Sequence, residues 1–96
     1  LPEPVAARVR AVMAQHPGEA TLLRLAFLGD DAERSVLSDL VRRYGVDVNI
    51  VHGQVDEIQG LSFASLTALL RGPAEALARA VEHLQAAGVR IEEIAP

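Results

Sequence analysis

The 96-residue chain is half hydrophobic, enough for one domain around one core that holds without disulfides or metal. It has no cysteine, which excludes disulfides, cysteine-ligated zinc and thiolate catalysis. Its net charge is −4, from thirteen acidic residues against nine basic ones that are all arginine, which argues against nucleic-acid binding and polybasic membrane attachment.

No apolar run approaches the ~20 residues that span a bilayer, and no basic and apolar leader opens the chain. The first residue is Leu1 rather than Met, so the chain is expected to be a fragment or a processed piece. Val5, Ala6, Val9, Val12 and Met13 recur at helical spacing and predict a helix within residues 1–17, entered through Pro2 and Pro4 and stopped by Pro17 and Gly18. The stripe is narrow, which predicts a packing or linker helix outside the main core. Residues 1–20 are therefore set apart from a domain over 21–96.

Alternation over residues 21–28 predicts a strand with Leu23, Leu25 and Phe27 on one face and Leu22, Arg24, Ala26 and Leu28 on the other. Gly29, Asp30 and Asp31 predict a turn whose acidic end caps a helix over 32–44. The helix stripe is Val36, Leu37, Leu40, Val41 and Tyr44, and Gly45 stands where a left-handed terminator is expected. Residues 46–59 predict a long second strand. Val46, Val48 and Ile50 share one parity while Val51 and Val55 have the other, so a bulge is expected, placed at Gly53. Gln59 and Gly60 make a hairpin turn into a third strand, with Ala64, Leu66, Ala68 and Leu70 on its core face and Ser65, Thr67 and Leu69 on the other.

Gly72 and Pro73 open a further helix, with Pro73 expected at its first position. Its stripe is Ala76, Leu77, Ala80, Val81, Leu84 and Ala87, and Gly88 ends it before a last strand over 89–94. After the N-terminal helix the order is β-α-β-β-α-β. This predicts an α+β, ferredoxin-like fold: a four-stranded antiparallel sheet with two helices on one face. Right-handed crossovers give the strand order 4-1-3-2, with the second and fourth strands at the edges. The other face, with Leu22, Leu28, Val51 and Leu69, is expected to lack a helix. An apolar bare face and a long edge strand both favour self-association.

Four stretches, LLRLAFLGDD from Leu22, YGVDVNIVHGQVDEIQG from Tyr44, LSFASLTALLRG from Leu61 and AAGVRIEEI from Ala86, resemble the NIL domain. This is the ACT-like C-terminal regulatory domain of the ATP-binding subunit of bacterial methionine ABC importers. The name-giving Asn-Ile-Leu tripeptide corresponds to Asn49, Ile50 and Val51, and Ala64 stands where the family usually has glycine. LPEPVAARV at the start resembles the segment joining such domains to the rest of the ATPase subunit.

The resemblance implies that two such domains pair across a twofold axis and bind L-methionine at or near their interface. The bound amino acid holds the importer inactive when cytosolic methionine is plentiful. It also implies the ATPase domain of a parent chain and a membrane permease as partners, at the cytoplasmic face of the inner membrane, with no cofactor. The family's ligand contacts map to the strand from Asn49 to Val55.

The residue chemistry is compatible with such a site. Asn49 offers a carbonyl acceptor and an amide donor for a zwitterion, and Ile50, Val51, Val55 and Phe63 are candidates to line an apolar slot. A ligand-free dimerisation module is the alternative. RNA binding is disfavoured because Phe27, Phe63 and Tyr44 are the whole aromatic set and the charge is negative. No nucleophile–base pair, metal triad or nucleotide-binding loop is visible, so no catalytic residue is expected in this chain.

Overall fold

The structure is a computed structural model that describes residues 1–28 and 32–96, with side chains described for all of these except 32–35. The turn and cap expected at Gly29, Asp30 and Asp31 lie outside the described residues. The order is α1 (Glu3–Gln15), β1 (Ala20–Leu28), α2 (Ala32–Tyr44), β2 (Asp47–Ile58), β3 (Leu61–Arg71), α3 (Ala74–Ala86) and β4 (Arg90–Glu93). The four strands form one antiparallel sheet in the order β2-β3-β1-β4, so the ferredoxin-like topology and both edge strands are as expected.

The main core lies between the sheet and the pair α2/α3. Leu23, Leu25 and Phe27 from β1 meet Ala64, Leu66, Ala68 and Leu70 from β3, and Leu40, Leu77, Ala80 and Leu84 close it from the helices. Each strand sends alternate residues into this layer, as its period of two requires. Val41 was expected in the α2 stripe, yet it is exposed, and Val36, Leu37, Leu40 and Tyr44 alone of that stripe meet the core. Pro73 is the N-cap of α3, one place before the expected position. The hydroxyl of Tyr44 lies 3.1 Å from Nδ1 of His83, joining α2 to α3.

The opposite face is not bare. α1 lies across it and buries Val9 against Leu22 and Leu69, with Val5, Val12, Met13, Val51 and Ile94 packed around them. This corrects the expected bare face: α1 is a packing helix outside the main core, and its narrow stripe matches a narrow apolar strip on the sheet. The strip ends quickly. Leu28 and Phe63, paired across β1 and β3 on this same face, remain exposed beyond it.

Two turns hold the outline. Gln59 and Gly60 both have positive φ, 53° and 80°, as a type I′ hairpin turn requires at its two central residues. Gly45 (φ 67°) ends α2, and its N–H donates to the carbonyl of Val41.

Unequal costs are expected in the two apolar layers. Leu25→Ala in the main core should cost about 2–5 kcal/mol of unfolding free energy. Val9→Ala beneath α1 should cost about 1–2 kcal/mol, the transfer term for two methylene equivalents. Urea denaturation of the two variants measures this, and equal losses would count against a main core with a smaller satellite.

Candidate functional site

β2 is a 12-residue edge strand, and its pairing with β3 slips between Ile50 and His52. Ile50 stands opposite Ala68 and His52 opposite Thr67, which leaves Val51 as the extra residue. The bulge therefore sits two residues before its expected place at Gly53. Gly53 instead marks a close approach to the neighbouring strand. A Cβ there would lie 3.0 Å from Cδ2 of Leu66, so the backbone rests directly on that side chain.

The bulge sorts the five residues singled out in the sequence onto two faces. Residues directly opposite on paired strands share a face. Ile50 (opposite Ala68) and Val55 (opposite Ala64) lie on the α2/α3 side, both exposed, at 58% and 69%. Asn49 (opposite Leu69), Val51 and Phe63 lie on the α1 side. Val51 packs into the small apolar layer, Asn49 is exposed, and Phe63 is half-exposed. Within one chain the five do not line a common pocket. Asn49, Ile50 and Val51 are brought together on the outer strand, while Phe63 lies towards the hairpin end.

A cleft of about 600 Å³ does open on the α1 face, one row past the apolar strip. Arg24, His52, Gln54, Ser65 and Thr67 make its floor, and they belong to two rows of the register. Glu92, Arg24, Thr67 and His52 align across β4, β1, β3 and β2, and the next row is Arg90, Ala26, Ser65 and Gln54. The N-terminal half of α1, through Pro2, Glu3, Ala6 and Arg10, forms one wall, and Ile94 stands beside it. Arg24 Nη1 donates to Oε1 of Glu92 at 3.1 Å, and Gln54 Nε2 donates to Oδ2 of Asp56 at 3.0 Å. Arg10 is held by Glu3 and by the carbonyl of Pro96.

Thr67 is only 5% exposed, yet no side-chain hydrogen bond found among the described residues involves it, Ser65 or His52. Sequence reasoning did not assemble these groups. The available signal was the polar alternation at Arg24, at His52 and Gln54, and at Ser65 and Thr67. Aligning those positions required the true place of the bulge.

A second polar cluster lies at the far end of β3. Arg71 Nη2 donates to Nε2 of His16 at 2.8 Å, and the Arg71 Nε is buried without a partner among the described residues. His16, His52 and His83 stand apart, and no group of three metal-ligating side chains forms among the described residues.

Residues 21–93 match the family model of the NIL domain. The chain is 43% identical over 91 residues to a methionine import ATP-binding protein MetN 1 of Paraburkholderia xenovorans, covering 95% of this chain and 26% of that protein. It is 44% identical over 94 residues to a methionine import ATP-binding protein MetN of Cupriavidus pinatubonensis, covering 98% of this chain and 27% of that one. The chain thus spans about a quarter of the length of the curated relatives it matches. The crystal structure of a C-terminal domain of an ABC transporter ATP-binding protein from Enterococcus faecalis superposes with a TM-score of 0.69. It shares 29% identity, and the match covers 90% of this chain and 94% of that one.

Neighbouring positions on β2 should respond unequally to truncation. Val51→Ala is expected to cost about 1–2 kcal/mol, because it removes methyl groups from the layer beneath α1. Ile50→Ala, on the exposed edge, is expected to cost less than about 0.5 kcal/mol in the isolated domain. Thermal unfolding at low protein concentration checks the pair, and a larger loss at Ile50 would reverse the face assignment.

Proposed function

Because the chain belongs to the NIL domain family, we propose that it is a regulatory domain that binds L-methionine and, when cytosolic methionine is high, inhibits an attached methionine-import ATPase. The similarity to methionine import ATP-binding proteins supports the transport context. On this reading the ATPase lies in chain outside these 96 residues and acts with a membrane permease at the cytoplasmic face of the inner membrane. The domain itself contributes binding, not catalysis.

The observation that carries the reading is the edge strand at its bulge. Asn49 presents an amide at the surface, and Ile50 and Val55 expose apolar side chains on a strand with no outer neighbour. Such an edge invites a second copy, because its outward N–H and C=O groups are unpaired. Asn49, Ile50, Val51, Val55 and Phe63 would meet the ligand where two copies join, since one copy does not enclose them. Binding inhibits only if methionine favours one arrangement of the paired domains over another. The exposed apolar edge equally favours a dimerisation module without a ligand, and titration separates the two. A folded dimer that takes up no heat from millimolar L-methionine would leave only the module.

Asn49→Ala is expected to preserve fold and dimer while weakening L-methionine binding by about 1–3 kcal/mol, the cost of an unpaired polar contact. Calorimetry reads this directly, and unchanged affinity would remove Asn49 from the site. Val55→Asp is expected to shift the domain towards monomer in sedimentation at micromolar concentration. An unaltered dimer would move the seam away from this edge.

A further inference from the structure

At the closed end of the β2–β3 hairpin, Leu28, Ile58, Leu61 and Phe63 form an apolar patch without cover among the described residues. We infer that the polypeptide leading into residue 1 from the attached ATPase lies across this patch and fastens the domain to what precedes it. The inference rests on the reading of this chain as the regulatory part of an importer ATPase subunit.

The register builds the patch. Leu28 stands opposite Phe63 and Leu61 opposite Ile58, so the four share the face that α1 occupies further along the sheet. Leu28, Ile58, Leu61 and Phe63 remain 62%, 59%, 55% and 39% exposed. Single exposed apolar side chains are ordinary, but a contiguous group of large ones marks an interaction surface. The polar rows through Thr67 and Ser65 separate the patch from the strip under Val9, so α1 does not reach it.

The path of α1 identifies the cover. Its C-terminal end lies at the far end of β3, where His16 meets Arg71. Its middle, at Val9, rests on Leu22 and Leu69. Its first residues, with Leu1 and Pro2, stand beside Gln54 and Ser65, the row next to Phe63. The N-terminus of α1 therefore points at the patch. Pro2 holds φ −57° and ψ 143°, so the chain enters the helix through extended backbone. Leu1 adds another exposed apolar side chain at that entrance. On the importer reading the ATPase lies ahead of residue 1. This chain spans 26% and 27% of two relatives, and the similar Enterococcus faecalis structure is a C-terminal domain. A second copy paired along β2 would add to the sheet in its own plane, beside this face and not over it.

The test is hydroxyl-radical footprinting of the full parent chain in its assembled importer and of the 96-residue chain. Leu28, Leu61 and Phe63 should be labelled several-fold more slowly in the full chain, while exposed Val41 on α2 should be labelled alike in both. In the 96-residue chain the three should be labelled freely even at concentrations where sedimentation shows a dimer. Leu61→Ser, outside both apolar layers, should fold like the parent and make the chain ahead of residue 1 several-fold more sensitive to limited proteolysis. Equal labelling in the two chains overturns the docking. Protection that grows with the concentration of the 96-residue chain also overturns it and gives the patch to a second copy. ATP hydrolysis by the same importer is measured with and without L-methionine. Inhibition without protection strikes the docking and leaves the regulatory reading standing. Protection without inhibition keeps the docking and strikes the methionine reading.

Discussion

Between Ile50 and His52 the second strand carries one residue more than the strand beside it, and both faces of the sheet depend on that offset. Before the bulge, even-numbered residues of β2 face the helices; after it, odd-numbered ones do. Without the extra residue, Gly53 and Val55 would turn to the α1 side, and His52 and Gln54 would turn to the α2/α3 side. The bulge keeps Val48, Ile50 and Val55 on the α2/α3 side while setting His52 and Gln54 on the α1 side.

The two faces are held by different means. The α2/α3 face is a continuous apolar core in which Leu25, Leu40, Leu70 and Leu84 are fully buried. The α1 face is banded: an apolar strip under the helix, then two polar rows, then Leu28 and Phe63 exposed. Methyl groups under α1 anchor that helix. Its surface ion pair between Arg10 and Glu3 adds little, since exposed pairs contribute roughly 0–1 kcal/mol. The cleft exists because the apolar strip is short and the helix continues past it. α1 is thus a wall of the cleft as well as the entry to the domain.

This arrangement gives the regulatory reading a physical route. An edge strand is the part of a sheet most free to change partners. The bulge places Asn49 at that edge, while Val51 reaches beneath α1 and His52 reaches the cleft. A ligand that engages this strand would touch the open sheet edge and the layer beneath α1 together. A shift in how two domains pair needs such differential contact in each arrangement.

Local pattern in the sequence determined the architecture. Alternation in β1 and β3, the helical stripes and the Gln59–Gly60 turn led to the strand order and to both edges, because each expresses a period or a backbone preference carried by neighbouring residues. The parity change from Ile50 to Val55 also revealed that β2 must bulge. Its place was not legible, because Gly53 answers to Leu66 on another strand and not to its own backbone. The fate of α1 was equally hidden: a stripe shows that a helix packs, not on what. The cleft followed from both. Arg24, Thr67 and Gln54 are far apart in the chain and ordinary one by one, and only the register and the overlying helix make them neighbours. Periodicity is a local property and was readable; the alignment of side chains across strands depends on long-range pairing, which the tertiary structure decided.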